Sequence, residues 1–311
     1  MSKTSVSTLL SSDGIHSLHV RSWLPEDGKI KATIQISHGV AEYIERYEPF
    51  ADFLTQHGYA VFGNDHLGHG QSFKDFSDRG FFASNDGWKY VVDDMHNLHL
   101  EIIKAYSKLP SVLFGHSMGS FLSRTYIIRY PQDFSATILS GTGNPSRPVI
   151  LAGRTLAELT VKKYAPRYIS KLLNEMSMGA YNKGFDAIEG EPAWLSRDKS
   201  NVAKYDADPL CGFIPTCSLM RDMMFGLSFI TNISNTRKMC KDMPVLFVSG
   251  GDDPVGECGK GVKKAYNLFL KSGMKDVYLK LYPDARHEIL NETNYLEVYQ
   301  DLLAWLEDKC F

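Results

Sequence analysis

Cysteines are few in this sequence, and none of them belongs to a recognisable motif. The 311 residues contain five cysteines, an odd number, and no CxxC spacing occurs. A disulfide framework needs paired cysteines and a zinc site needs closely spaced ligands, so the sequence predicts neither. We expect the five thiols to be ordinary small apolar side chains.

Long apolar runs and an excess of one charge are also missing. No run reaches the length of about 18 apolar residues that a membrane-spanning helix requires. The first residues, MSKTSVSTLLSSDG, lack the apolar stretch of a secretory signal, so we expect a cytoplasmic protein. The formal net charge is -2 and no basic cluster stands out, so nucleic acid is not a predicted partner.

What the sequence does contain is a series of short β-rich runs that alternate with longer helix-like runs. Such alternation predicts an α/β fold with a mostly parallel central sheet and helices on both faces. The predicted strands are residues 18–23, 32–39, 60–66, 111–117, 135–141, 244–251 and 277–283. The predicted helices are residues 47–57, 88–106, 121–130, 260–271 and 295–308.

The alternation is interrupted between residues 142 and 242. This segment contains helix-like pieces but no convincing core strand. Because the sheet pattern continues afterwards, we predict an inserted helical cap, residues 142–242. The core would then consist of residues 1–141 and 243–311.

The motif GHSMG (115–119) follows an apolar strand and precedes a predicted helix. This context is that of the nucleophile elbow of the α/β-hydrolase fold. Glycines two positions before and after the serine prevent collisions in the tight turn. The alternative is an ordinary glycine-rich turn, because GxSxG by itself is a weak signal. We predict Ser117 as a nucleophile.

A serine nucleophile needs a base, and in this fold the acid and then the histidine follow it in the chain. His287 lies just past strand 277–283, at the edge where open α/β sheets place their sites. We therefore predict His287 as the base. Asp252 and Asp253 both follow strand 244–251, and neighbours in a tight turn point in different directions. Position alone leaves open which of them orients the histidine.

The turn SHGV (37–40) lies at the end of the strand at residues 32–39, where this fold places its second oxyanion donor. The predicted donors are the backbone N–H groups of Val40 and Met118. Each is expected to contribute about 3 kcal/mol of transition-state stabilisation.

Taken together, these residues resemble the monoglyceride lipase and lysophospholipase group of α/β hydrolases. The resemblance covers nearly the whole chain outside the cap. It rests on HGVAEYIERY (38–47), DHLGHGQS (65–72), GHSMG (115–119), SGGDDPVG (249–256) and YPDARHEILNE (282–292). The family pattern G-x-x-D fits residues 250–253, which selects Asp253 as the acid. Tyr43 departs from the family, where histidine is usual. The resemblance implies no cofactor and no metal.

Two polar groups near the predicted site have alternative interpretations. Glu42 and Arg46 either form a structural ion pair or lie near the polar head of the substrate. The histidine- and glycine-rich segment 65–72 suggests metal binding, but a self-bonded loop is what the family resemblance favours.

The predicted cap carries a methionine-rich stretch. Met220, Met223, Met224 and Leu227 fall at helical spacings. Such a face suits a flexible acyl chain, so Met220 and Met224 are candidate substrate contacts; packing of the cap onto the core is the alternative.

Residues 149–171 also predict either a solvated face or transient contact with a membrane or micelle surface. Their basic side chains are Arg154, Lys162, Lys163, Arg167 and Lys171.

These observations predict a serine carboxylester hydrolase acting on a small-molecule, lipid-like monoester of the monoacylglycerol or lysophospholipid type, through an acyl-enzyme intermediate. One alternative is an aminopeptidase of the same fold, which needs an acidic pocket for a free amino terminus. Glu175, Glu189 and Glu191 in the cap leave that alternative open. Another is a non-catalytic ligand-binding protein, against which the intact Ser, His and Asp set argues.

Overall fold

A computed structural model describes residues 2–185 and 192–311 of the chain. The strands are β1 (Lys3–Leu10), β2 (Ser17–Leu24), β3 (Ala32–Ser37), β4 (Tyr59–Asn64), β5 (Ser111–His116), β6 (Ala136–Ser140), β7 (Val245–Gly250) and β8 (Val277–Tyr282). The α-helices are α1 (Glu48–Gln56), α2 (Gly87–Tyr106), α3 (Met118–Arg129), α4 (Arg147–Tyr164), α5 (Lys171–Met176), α6 (Lys199–Ala207), α7 (Cys217–Ile230), α8 (Ile233–Thr236), α9 (Lys260–Lys271) and α10 (Tyr295–Cys310). Short 3₁₀ helices include Ile44–Tyr47, Met178–Gly184 and Ala193–Leu195.

The strands form a single sheet in the order β1-β2-β4-β3-β5-β6-β7-β8. The β1–β2 and β2–β4 pairs are antiparallel, and all pairs from β4 to β8 are parallel. The predicted α/β fold with a mostly parallel sheet is therefore confirmed. The prediction missed β1, whose side chains are mostly polar and exposed, because apolar alternation is the signal that identifies a strand.

Alternate residues of the central strands face two separate apolar clusters. Leu113 of β5 joins the cluster that contains Leu122 of α3 and Phe269 of α9. Its neighbours Val112 and Phe114 join the opposite cluster, which contains side chains of α1 and α10. Period-two alternation with apolar residues on both sides is what a sheet covered on both faces requires. The carboxyl ends of the parallel strands consequently meet at one edge.

The described residues between β6 and β7 form helices and turns, without a strand. Helix α7 belongs to the core as much as to this insertion, since Met223 and Leu227 join the cluster that contains Leu122. Helix α4 packs against α7 on the outside, through a small cluster that includes Ala157 and Met220. No helix in the described part of the chain is long and apolar enough to cross a membrane.

Candidate active site

Ser117 occupies the turn between β5 and α3. Its backbone angles, φ 53° and ψ −121°, are rarely adopted by a residue other than glycine. A Cβ atom on Gly115 would lie 2.3 Å from Ser123 Oγ, and one on Gly119 would lie 1.9 Å from the Ser37 carbonyl oxygen. The turn therefore requires glycine at both positions, as the sequence motif predicted.

His287 and Asp253 meet at the carboxyl edge of the sheet. His287 Nδ1 lies 2.9 Å from Asp253 Oδ1, and both side chains are buried. Asp253 also accepts hydrogen bonds from the Ser249 hydroxyl and the Val255 backbone N–H, each at 2.9 Å. An ionised carboxylate can only accept, so Nδ1 carries the proton and Nε2 is left as the basic nitrogen.

The two side chains stabilise each other's charged forms. Burial alone would raise the pKa of Asp253, but the charge and hydrogen bond of His287 hold it below the ordinary value. Burial would likewise lower the pKa of His287, but the Asp253 carboxylate holds it above the ordinary 6.5. The pair is thus suited to hold a proton on the imidazole during a reaction.

The two candidate aspartates have different surroundings. Asp252 is exposed, and its backbone N–H donates to the Ala285 carbonyl at 2.9 Å. Asp253 is completely buried and makes the contact with His287. The difference comes from the turn after β7, which directs adjacent side chains to opposite sides.

Two aromatic rings flank His287. The His116 ring centroid lies 4.7 Å away and that of Trp194 lies 5.0 Å away. Burial, assisted by His287, lowers the pKa of His116 to about 4, so His116 is neutral near pH 7. Trp194 comes from the insertion, and no sequence signal pointed to it.

The insertion also binds the backbone of the histidine loop. We call residues 192–201 the strap. The Trp194 carbonyl accepts from the His287 N–H at 3.3 Å, and the Leu195 carbonyl accepts from the Glu288 N–H at 2.7 Å. Arg197 of the strap pairs with the fully buried carboxylate of Glu292 at 2.9 Å, and that carboxylate accepts from the Arg286 N–H at 2.8 Å. The strap therefore forms part of the support of His287, which the sequence did not indicate.

The predicted oxyanion donors lie on either side of Ser117. A Cβ atom on Gly39 would lie 3.2 Å from Ser117 Cβ, so the turn that carries Val40 passes directly beside the serine. Within residues 2–185 and 192–311, no loop or turn hydrogen bond engages the N–H of Val40 or of Met118. The role of these two N–H groups as oxyanion donors stays a prediction.

Glu42 and Arg46 form a buried ion pair, with a third member that sequence reasoning missed. Arg46 Nη1 lies 2.7 Å from Glu42 Oε2, and the guanidinium contacts both oxygens of Glu288 at 2.7 and 2.8 Å. Although burial opposes it, Arg46 lowers the pKa of Glu288 to about 2. The signal for Glu288 was its position directly after the predicted base. Substrate contact by Glu42 and Arg46 stays a prediction.

Tyr43, the departure from the family pattern, connects the neighbouring turn to the insertion. Its hydroxyl donates to Asp208 Oδ2 at 2.8 Å, and its ring packs beside Leu195 and Tyr205. The tyrosine therefore reaches across to the residues around α6.

Met220 and Met224 lie on the side of α7 that faces α4. Met220 is buried with Ala157 and Leu173, and Met224 Sδ would lie 3.0 Å from a Cβ atom on Gly153. These contacts are packing contacts between the two helices. Substrate contact by either methionine stays a prediction.

The segment at residues 65–72 is held by its own hydrogen bonds. Asp65 Oδ2 accepts from the Gln71 N–H at 2.7 Å, and the Ser72 hydroxyl donates to the Asp65 carbonyl at 2.8 Å. Burial raises the pKa of Asp65 to about 7. Asp65 also joins His19 and Glu45 in a group close enough to hold a cation, but His19 Nε2 already contacts Glu45 at 2.6 Å.

Comparison with known proteins identifies the family. Residues 28–294 match the family described as serine aminopeptidase, S33. A monoglyceride lipase of Rattus norvegicus is 30% identical over 97% of this chain and 90% of its own length. A monoacylglycerol lipase of Mycolicibacterium smegmatis is 28% identical over 91% of this chain and 90% of its own length. The crystal structure of a highly thermostable carboxyl esterase from Bacillus coagulans superposes with a TM-score of 0.91 at 25% identity, covering 99% of both chains. The chain therefore belongs to the serine aminopeptidase S33 family of α/β-fold hydrolases.

Proposed function

We propose that the protein is a serine carboxylester hydrolase that cleaves lipid-like monoesters of the monoacylglycerol or lysophospholipid type. The observation that carries this proposal is the buried hydrogen bond of 2.9 Å between Asp253 and His287, at the same sheet edge as the Ser117 turn. The names of the relatives, lipases and an esterase, support an ester as the substrate.

The proposed reaction uses these groups in sequence. Ser117 Oγ attacks the ester carbonyl carbon while His287 Nε2 takes the hydroxyl proton. The N–H groups of Val40 and Met118 stabilise the resulting oxyanion by about 3 kcal/mol each. The carbonyl then re-forms, the C–O bond to the alcohol breaks, and His287 returns the proton to the alcohol. Water, deprotonated by His287, then attacks the acyl carbon, the bond to Ser117 Oγ breaks, and His287 returns the proton to Ser117 Oγ as the carboxylic acid leaves.

The first test is Ser117→Ala. We expect this variant to lose ester hydrolysis and fluorophosphonate labelling while keeping the wild-type melting temperature. Labelling above a few per cent of wild type would contradict the assignment of the nucleophile. A wild-type chain that is folded and takes no label would instead favour a ligand-binding protein.

The second test compares the neighbouring aspartates. Asp253→Asn should lower kcat by about 10⁴, because an amide neither stabilises the imidazolium nor selects the required tautomer. Asp252→Asn is the matched control, and its exposed side chain should contribute no more than about 1 kcal/mol. The assignment of Asp253 as the acid fails if Asp252→Asn is the inactive variant and Asp253→Asn keeps a nearly normal kcat.

The family description keeps an aminopeptidase as the alternative. The buried carboxylates near the site, Glu42 and Glu288, are already paired with Arg46, which disfavours recognition of a free amino terminus. Glu175 is exposed on α5, and the predicted Glu189 and Glu191 lie outside the described residues. Hydrolysis of p-nitrophenyl butyrate compared with amino-acid p-nitroanilides distinguishes the two activities.

We further propose that residues 142–242 act as a cap and that its outer surface contacts a membrane or micelle. Helix α4 buries only Ile150 and Ala157. The exposed side chains, named the apolar face here, are Val149, Leu151, Leu159, Ile169, Leu172 and Met176. Lys162, Lys163 and Lys171 are exposed among them. Apolar side chains flanked by lysines suit an interfacial position on anionic lipid.

We also propose a cytoplasmic location. The five cysteines are free, as is usual in a reducing compartment. Fractionation of cells that produce the tagged chain tests this proposal.

A further inference from the structure

A buried ion bridge connects the two loops that flank Ser117. The bridge consists of Glu42, Arg46 and Glu288, and we call it the Arg46 bridge. Its side chains are only 5%, 13% and 7% exposed, respectively. The contact between Arg46 and Glu288 is bidentate, which fixes both the distance and the relative orientation of the two groups.

One end of the bridge contacts the residue before a proposed oxyanion donor, and the other end directly follows the proposed base. Glu42 Oε1 accepts from the Gly39 N–H and, at 2.8 Å, from the Tyr47 hydroxyl. Gly39 precedes Val40, a proposed oxyanion donor, and Glu288 follows His287. A shift of the bridge would therefore move the oxyanion turn relative to the base.

The bridge leaves almost no space for a ligand. The cavity it borders, also lined by His116, Phe50 and Tyr299, has a volume of about 10 Å³. Such a volume holds about one water molecule at most. The arrangement fits a supporting role and not a head-group pocket.

We propose that Glu42, Arg46 and Glu288 are positioning residues, which hold the oxyanion turn against the His287 loop and place one net negative charge beside the imidazole. This inference rests on the proposed ester hydrolysis. Two carboxylates share a single guanidinium, so the bridge attracts the proton that His287 carries in the transition state.

The charged surroundings of His287 come from several elements. Burial lowers the pKa of His287, whereas Asp253 raises it most and Glu288 and Glu42 raise it further. His116 at the end of β5 is neutral near pH 7, since its pKa is about 4. Tyr181 lies near Asp253, and burial raises its pKa to about 12. Besides Asp253, Glu288 and Glu42 are therefore the carboxylates through which the bridge acts on the imidazole.

The test is the pH dependence of kcat/KM for p-nitrophenyl butyrate. Hydrolysis needs neutral His287, so the rate falls below the pKa of the free enzyme. Glu288→Gln and Glu42→Gln each remove one negative charge and should move this acid limb down by about one pH unit. We expect kcat to fall at least about tenfold in both. Arg46→Lys keeps the charge but loses the bidentate geometry, so kcat should fall while the limb stays in place.

Glu101→Gln is the matched control, because this exposed carboxylate of α2 pairs with Lys104 of the same helix. It should change neither the acid limb nor kcat. The bridge hypothesis is overturned if the folded Glu288→Gln and Glu42→Gln variants keep the wild-type kcat and the wild-type acid limb of the pH profile. If both variants unfold, Arg46→Lys decides, and a wild-type kcat in it overturns the hypothesis. A wild-type chain without esterase activity would reject the proposed function instead.

Discussion

The strap and the apolar face belong to the same insertion but are built in opposite ways. Backbone carbonyls of the strap accept from the His287 loop, and Arg197 reaches a fully buried carboxylate. The apolar face directs large side chains outward, with Leu151 62% and Met176 64% exposed. Satisfied polar groups fix a geometry, whereas exposed apolar groups reduce their free energy only when something covers them. The strap therefore supports the His287 loop, whereas the apolar face is available to bind a membrane or micelle surface.

Within this comparison of the strap and the apolar face, the largest effect is expected from breaking the strap. Glu292→Gln replaces a carboxylate that accepts from Arg197 and Arg286, so the histidine loop should shift. We expect kcat to fall about 10²-fold, because small misplacements of a catalytic group have effects of this size. The loss should be equal for short and long acyl chains in steady-state assays. Selective loss on long chains would assign the strap to substrate binding, and a collapsed melting temperature would indicate a folding defect.

The apolar face should respond in the opposite way. Leu151→Ser combined with Leu159→Ser removes two exposed apolar side chains, each contributing about 1.5–3 kcal/mol if fully buried in lipid. Partial insertion predicts vesicle binding weakened about tenfold. Sedimentation with anionic vesicles measures binding, and hydrolysis of soluble p-nitrophenyl acetate is the control and should not change. Equal vesicle binding by both proteins would argue against a membrane role.

A smaller effect is expected at the junction between α7 and α4. Met224→Glu places a charge where an acyl chain would lie if the cap forms the acyl site. We expect long-chain esters to lose about fivefold more kcat/KM than acetate or butyrate esters. Equal losses on all chain lengths would support simple packing against Gly153, the contact that the structure shows.

The smallest effect is expected from Tyr43→Phe. This change removes the hydroxyl that donates to Asp208 but keeps the ring packed beside Leu195. The free energy of unfolding should fall by about 1 kcal/mol, the usual value for one hydrogen bond. Chemical denaturation measures it. A much larger loss would mean that Tyr43 anchors the whole strap.

The sequence predicted what local patterns encode and missed what the insertion adds. Buried strands and the GHSMG turn have clear periodicity and composition, and the sheet edge on which His287 lies follows from strand order. The choice of Asp253 over Asp252 needed the family pattern, since only the folded turn buries one and exposes the other. Trp194 gave no signal, and Glu292 entered only as the last residue of the family stretch 282–292. Their contacts join segments about a hundred residues apart in sequence, which periodicity does not report.

The strap also limits how the specificity of this enzyme can be engineered by exchanging the insertion. In a modular hydrolase the whole insertion could be exchanged for another to change specificity. Here such an exchange would remove the acceptors for the N–H groups of His287 and Glu288 and the guanidinium that faces Glu292. Chimeras that replace only α4 and α5 would keep those acceptors in place. Residues 192–201 therefore form a fixed part of the scaffold, although the chain order places them in the segment between β6 and β7.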